Sequence, residues 1–570
     1  MFIQGIPRRG HTYYAVISGK RVDGKVVRKT EYYIGSLEKL DEARRVEIEE
    51  NLKNLGDSAL IQKFRSIIIS HGYEIPSPIS FFSVEKIYEY GRELAIHKVC
   101  EEIDFVNLIN KHGKKGGGPD LGKVVEAMVI NRNCDPHSYF QLPEWYKRSA
   151  LPLFMDFPSS QLTYSVALNA LDYLQPENTV PMQVDIYEKI RKVYGYECDR
   201  IDIDLTSTYF EGEECILAEF GYSRDHRSDR PQIVIAFAVD QKGIPVTHNV
   251  WPGNRTDAKS LKPFDRCLNK KFNLDAPRIV DRGIATWENL NYMDRKKERY
   301  LVALRAKIKS TGFLEAIGTS PGDWAAVRDN EVAASIIKDK RKYVVVWNAD
   351  VADTNRKDRE SRVRRAEREL EKLKVAVENG RIRSREKRDE KIGHIKNKYR
   401  VNKYLATKNR ENGFGFEIER TESLQEAQRY DGYQIFVTTE LDLSEREIVE
   451  SYRVRDQIEK AIQTLKSVLG LHPQYVRTKE HVLGNIFVCT AAYQLRSILR
   501  MKLKDKGIDM SIDEAMKALE QLKAVQIVVG KDEEVQVHRK LGGVNEDTRI
   551  LIDVFNMGDN GKLPLVGTLT

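Results

Sequence analysis

Three acidic residues, far apart in the chain, stand where they could act together on a phosphodiester. Asp204 lies in Ile201-Asp202-Ile203-Asp204-Leu205-Thr206, which alternates apolar and polar residues as a half-buried strand does. Asp281 ends the short run Arg278-Ile279-Val280-Asp281, just before Arg282-Gly283, where a glycine lets the chain turn away. Glu459 follows much later, on a predicted long helix. Cleavage of a phosphodiester by two metal ions needs carboxylates converging from separate elements. The ions stand roughly 3.5–4 Å apart, one activating the nucleophile and the other stabilising the leaving oxygen. Mg²⁺ takes a few carboxylates and leaves room for water and phosphate oxygens. Asp202 shares the polar face of the strand with Asp204 and is its rival as a ligand. Taken singly, an aspartate at a strand end is an ordinary turn former.

The helix carries more information. It starts at Ser444-Glu445-Arg446-Glu447, which matches a capping box. Tyr452, Arg455, Glu459 and Lys466 are spaced three, four and seven apart. At about 100° per residue they fall within an arc of roughly 60°. Val454, Ile458, Ala461, Leu465 and Val468 fall on a different side and are expected to be the buried stripe. Such a helix offers one carboxylate, flanked by two cations and a phenol, on a face that is not its core. The plainer reading is a row of surface pairs such as Arg455 with Glu459.

These residues must be positioned by a fold of several parts, since 570 residues suffice for more than one domain. Residues 12–17 and 26–30 read as strands joined by the hairpin signal Asp23-Gly24-Lys25, with a third strand at 32–34. Residues 38–110 read as helical, 113–119 as a glycine-rich loop, and 120–195 as a second helical block. From 201 onward, strands at 201–206, 233–239, 245–251, 278–281 and 300–304 alternate with helix, which indicates an α/β core. Residues 306–353 hold strand-like pieces such as 342–347, and 433–439 is one more strand. Helices at 485–503 and 511–522 and strands at 524–529 and 534–538 close the chain.

Charge is unevenly spread. The whole chain carries +8, yet residues 354–408 hold 20 Lys and Arg against 9 Asp and Glu, a net +11. The segment reads as two helices, about 355–378 and 384–406, joined at Asn379-Gly380 and lacking a strong apolar stripe. A solvated helical hairpin would look the same, but this much excess charge suits phosphate contacts. Arg362, Arg364, Arg365, Arg381, Arg383 and Arg385 are the candidate DNA-binding residues there. The six cysteines are scattered without a CxxC pair, so they signal neither a zinc site nor a disulfide framework. No apolar run approaches the roughly 18 residues of a membrane span and no signal-peptide pattern opens the chain, so a cytoplasmic protein without a membrane partner is expected.

The spacing Tyr452, Arg455, Glu459, Lys466 resembles the YREK signature of insertion-sequence DDE transposases of the IS-four-like superfamily. Asp204-Leu205-Thr206 and Asp281-Arg282-Gly283 are similar to the family's first two acidic motifs. Gly221 to Arg227, Pro252-Gly253-Asn254 with Asp257, and Tyr475-Val476-Arg477-Thr478 also resemble family stretches. Asn485 stands where many relatives have a histidine. The resemblance implies an RNase H-like catalytic core with a β-plus-helical insertion, preceded by a small β-hairpin and a helical DNA-binding region. The corresponding domains are 1–37 (hairpin), 38–195 (helical), 196–305 (core, first part), 306–432 (insertion), 433–500 (core, last part) and 501–570 (C-terminal region). The insertion explains why Asp281 and Glu459 are 178 positions apart, when a strand–helix unit needs about 30.

The resemblance also implies roles. Asp204, Asp281 and Glu459 would hold two Mg²⁺ or Mn²⁺ ions, and Arg455, Lys466 and Tyr452 would meet the DNA backbone near the cut. The partners would be double-stranded DNA, as terminal inverted repeats and target, with a homodimer assembled on the ends. Relatives tend to stack a flipped base on a tryptophan of the insertion. Trp324 and Trp347 are the candidates, though each reads first as a core residue. A nuclease on the same core, or a DNA-binding protein that has lost catalysis, would share much of this pattern.

Overall fold

The computed structural model describes residues 1–558 except 9, 23–24, 39, 74–81, 114–117, 213, 226, 305–310, 411–414 and 532–533. The hairpin tip Asp23-Gly24 and much of the loop at 113–119 therefore lie outside the described residues. The chain divides into two compact units, one built on Met1–Ile87 and Val525–Lys540, the other chiefly on Tyr88–Ala524.

The first unit opens with three antiparallel strands, Phe2–Arg8, His11–Val22 and Lys25–Ser36. The expected strands at 26–30 and 32–34 are one strand, bent by two register shifts opposite Tyr14/Ala15 and Val16/Ile17. Phe2–Arg8 was not expected, because Gly5 and Pro7 break its pattern. Helices Glu42–Asn54 and Ser58–Ser70 pack Ile48, Leu52, Phe64 and Ile68 against Val16 and Ile34. Phe82–Glu89 is a strand inside the stretch expected to be helical, which suits Phe82, Val84, Ile87 and Tyr88.

In the second unit, the described residues between Gly91 and Tyr194 form seven α-helices, of which Leu121–Cys134 is buried on nearly every side. It packs against Lys479–Asp505. That helix is long and apolar enough to cross a membrane, contrary to the expectation from sequence, but 94% of its apolar window is buried inside the protein. It is built as a core helix is.

The α/β part is one nine-stranded sheet. In chain order its strands are β1 (Ile201–Tyr209), β2 (Gln232–Asp240), β3 (Pro245–Pro252), β4 (Arg278–Val280), β5 (Tyr300–Ala303), β6 (Ala325–Arg328), β7 (Glu331–Lys338), β8 (Arg341–Asn348) and β9 (Tyr433–Thr438). Across the sheet the order is β6-β7-β8-β9-β5-β4-β1-β2-β3. β1 pairs antiparallel with β2 and parallel with β4, and β4 pairs parallel with β5. Strands β6, β7 and β8, in the first part of the expected insertion, thus extend the sheet beyond β9 rather than forming a sheet of their own. β2 is buried along its whole length, as its unbroken apolar run requires.

Beyond β8 the chain leaves the sheet for a helical module. α1 (Ala349–Glu378) is longer than expected, and α2 (Arg385–Lys398) is shorter, since Leu405–Asn409 pairs with Phe416–Arg420 as a hairpin. The module also has an apolar seam, contrary to expectation. Val363, Ala366, Leu370, Leu373 and Val377 recur every three or four residues along α1 and pack with Ile392, Val401, Leu405, Phe416 and Leu424.

The expected single helix after β9 is two: α3 (Glu445–Arg453), with the capping box at Ser444 and Glu447, and α4 (Asp456–Ser467). Between them the amides of Arg455, Gln457 and Ile458 bond to carbonyls three residues back, a tightened 3₁₀-like turn. The expected buried stripe is correspondingly incomplete. Ile458, Ala461 and Leu465 are buried, while Val454 and Val468 are exposed. α5 is the core helix Lys479–Asp505.

Candidate active site

The register of two neighbouring strands builds the site. Ile203 on β1 lies opposite Val280 on β4 in a parallel pair. The next residue on each strand is an aspartate, so Asp204 and Asp281 lie level on adjacent strands, about 5 Å apart in backbone. Asp281 directly follows β4, and its Oδ2 accepts from the Gly283 amide at 2.7 Å, which closes the turn and aims the other oxygen back.

Arg455 sits between the two carboxylates. Its Nη1 donates to Asp281 Oδ1 at 2.9 Å and to the Tyr452 hydroxyl oxygen at 3.0 Å, and its Nη2 is 3.4 Å from Asp204 Oδ2. The guanidinium is 6% exposed and Tyr452 lies under it. Burial pushes the Asp204 carboxyl up to about 6, and the charge of Asp281 adds to this against the opposing pull of Arg455. Burial also raises Asp281, but the Gly283 amide and Arg455 outweigh it and hold that carboxyl below its usual value. Two carboxylates this close are thus held unequal in basicity by a cation and a turn.

Asp202 takes no part. It is fully buried and bound to Arg200, with Arg200 Nη2 3.1 Å from its Oδ2. Of the two aspartates on β1, Asp204 is the one brought to Asp281.

Glu459 is not brought in. It lies in the first turn of α4, exposed, and among the described residues it makes no ion pair or hydrogen bond. Among those residues no group of three His, Cys, Asp or Glu is arranged to hold a metal ion. The expected common arc of Tyr452, Arg455, Glu459 and Lys466 is broken by the tightened turn at 454–455, which changes the helical phase between Arg455 and Glu459. The surface pair Arg455–Glu459 does not form either.

Lys466 lies two turns beyond Glu459, about 10 Å along the axis. Its Nζ donates to Asp225 Oδ1 at 2.6 Å, and burial lowers the basicity of this amine while Asp225 opposes it. Asp225 also accepts from Ser207 of β1 at 3.4 Å, and Arg224 is bonded to Asp257. The strap Gly221–Arg227 therefore ties β1, α4 and the start of the helix at Asp257; His226 within it lies outside the described residues. Glycines allow this. A Cβ on Gly221 would stand 2.1 Å from the Gly253 carbonyl oxygen, and one on Gly253 would stand 2.1 Å from that of Gln232. Arg224, Asp225 and Asp257 had no role assigned from sequence, because their partners are distant in the chain.

The remaining candidates lie elsewhere. Arg362 and Arg364 pair with Asp358 and Glu360 one turn back on α1, Arg383 donates to the Gly380 carbonyl, and Arg365, Arg381 and Arg385 are exposed. No described contact joins any of them to Asp204 or Asp281. Trp324 is buried with its indole N–H on Thr319, and Trp347 is half-buried and donates to the Asp431 carbonyl. Asn485 is a buried hub that accepts from Arg132 and Tyr139 and donates to Gln474.

No curated protein matches the chain. Among solved structures it is similar to a cryo-EM structure of the piggyBac transposase synaptic complex with hairpin DNA. The likeness has 9% sequence identity and a TM-score of 0.35 and covers 76% of this chain and 80% of that one. The family model described as the transposase DDE domain matches residues 199–495, a stretch that includes Asp204, Asp281, Arg455 and Glu459, and the chain belongs to that family of DDE transposases.

Proposed function

We propose that this chain cuts DNA at the ends of an insertion-sequence element and joins those ends to target DNA, as a homodimer on paired ends and within the IS-four-like branch. One observation carries the reading: Asp204 and Asp281 face each other from adjacent parallel strands with Arg455 between them. The strand order β3-β2-β1-β4-β5, with β2 antiparallel to both β1 and β3, and β4 and β5 parallel to β1, the strand bearing the first aspartate, supports an RNase H-like core.

The donor set is entirely carboxylate oxygen and already faces a positive charge, which suits a hard divalent cation such as Mg²⁺ or Mn²⁺. Asp204 and Asp281 would hold the ions, joined by Glu459, one helical turn past Arg455. Bound there, two such ions supply an activated nucleophile and a stabilised leaving oxygen.

The chain's own groups do the rest. Arg455 neutralises the two aspartates in the free protein and is released to a DNA phosphate when they are otherwise neutralised. A guanidinium is suited to that exchange, since its fork matches carboxylate and phosphate alike. Tyr452 fixes the guanidinium plane. Lys466, lent to Asp225, offers a second cation along the same groove. The exposed arginines of the α1–α2 module extend phosphate contact away from the cut, and the helices within 38–195 read the element ends.

Nicking of supercoiled plasmid with Mg²⁺ or Mn²⁺ tests this. Wild-type protein is expected to nick, and Asp281→Asn to be inert. Equal nicking by both proteins would overturn the assignment.

A further inference from the structure

A second feature lies at the far end of β1. A cavity of about 770 Å³ opens between the helical block and the chain leading into α5. Its wall carries aromatic rings that face solvent: Phe140 and Tyr475 are each 74% exposed and Tyr164 is 45% exposed. Phe140 and Tyr164 meet edge to face at 5.6 Å. Exposed rings gathered around one cavity form an apolar platform of the kind that marks a binding surface.

Arg132 also lines this cavity. It is 8% exposed, and among the described residues it has no ion pair. Its guanidinium donates to Asn485 at 3.1 Å, is hydrogen-bonded to the Tyr139 side chain and lies 5.2 Å from that ring's centre; none of these partners is a carboxylate. A buried cation without a carboxylate is costly and marks a place for an anion. At the rim Arg477 is held loosely, 3.4 Å from the exposed Glu214, and His481 faces Asp172. Ring faces together with a guanidinium that has no carboxylate partner among the described residues are complementary to a nucleotide.

The cavity is joined to the candidate active site. His472 on its wall lies 3.2 Å from Thr208 and edge-on to Tyr209, both on β1, and 3.9 Å from Asp225, the partner of Lys466. Thr208 is four residues beyond Asp204, roughly 13 Å along an extended strand. A DNA strand with a phosphate at Asp204 can reach the cavity within a few nucleotides.

We propose that this cavity takes one unpaired nucleotide of the DNA strand. Its base lies against Phe140, Tyr164 and Tyr475, and its phosphate against Arg132, with Arg477 released from Glu214 to help. The proposal rests on the reading of the chain as a DNA-processing enzyme. It adds a place where bases are held apart from their partners, distinct from Trp324 and Trp347.

The test is fluorescence anisotropy in EDTA, which prevents cleavage, with a labelled 12-mer of thymidylate and the same strand carrying abasic sugars. Wild-type protein is expected to bind the base-bearing strand about tenfold more tightly. Tyr475→Ala and Phe140→Ala change exposed rings and leave the fold intact, as melting curves will check. Each should weaken binding of the thymidylate strand by about fivefold to tenfold and leave the abasic strand within about twofold. Arg132→Gln should weaken both strands. Unchanged thymidylate affinity in the Tyr475→Ala, Phe140→Ala double variant would overturn the proposal, as would equal binding of the two strands by wild type. Plasmid nicking by the wild type separates the two readings. Ring-dependent binding without nicking keeps the cavity and sinks the enzyme, and nicking with ring-independent binding does the reverse.

Discussion

The β1–β4 pair and the α1–α2 module are both dense in charge, and they use it in opposite ways. At the strand pair a few charges are buried or nearly so, and each is held by a partner from a different element: Arg455 from the α3–α4 turn, Asp204 from β1, Asp281 from the end of β4. In the module many charges ride on the outside of a private apolar core, and many of their pairs are local, such as Arg362 with Asp358 or Arg356 with Asp353. Exposed local pairs of that kind are worth little, while displacing a partner at the strand pair leaves a charge stranded. The density of charge therefore marks a surface, and convergence from separate elements marks a site.

That contrast can be broken most sharply at β1. Asp204→Asn should cut plasmid nicking by at least about a hundredfold, beyond what outer-shell changes cost. Asp202→Asn should leave nicking within severalfold and lower stability instead, because it removes the charge by which the fully buried Asp202 holds Arg200. Equal loss of nicking in both would mean that strand register does not decide which aspartate acts.

In the module, Leu370→Ala should cost about 2–5 kcal/mol of local stability, since the side chain is fully buried. Proteolysis should then fall within 349–428 while the sheet stays resistant. Loss of the whole fold would show that the module has no core of its own.

Arg455→Ala is expected to slow nicking about tenfold to a hundredfold while metal-dependent stabilisation persists. It leaves Asp204 and Asp281 facing each other without their cation, so the melting temperature without metal should drop as well. Unchanged nicking would make Arg455 a structural clasp only.

The smallest effect is expected from Arg365, Arg381 and Arg385 changed together to Gln. Each lost phosphate contact should flatten the salt dependence of DNA affinity by about 0.9 in the log–log slope, without altering sequence preference. An unaltered slope would make the module a solvated surface.

The alternation of 201–206 and the short run ending at Asp281 made both aspartates legible in the sequence, because strand period and a turn glycine are local signals. Their meeting was not local: it depends on Ile203 pairing with Val280. The break at Val454–Arg455 was hard to read in the sequence, since Ser451, Tyr452, Val454 and Asp456 are only slightly weaker helix formers than their neighbours and a tightened turn costs little. The spacing of Val363, Ala366, Leu370, Leu373 and Val377 was readable, but the surrounding charge obscured it. The pair Lys466–Asp225 spans 241 positions and could be seen only in the fold.

Glu459 is the test of the whole account, because it is the one proposed ligand that stands exposed and unpaired. The measurement is nicking of supercoiled plasmid in Mg²⁺ by Glu459→Gln, beside its DNA affinity in EDTA. The account expects nicking to vanish and affinity to stay within about twofold, since the amide keeps the shape and removes the charge that would hold an ion. Wild-type nicking by Glu459→Gln would contradict it.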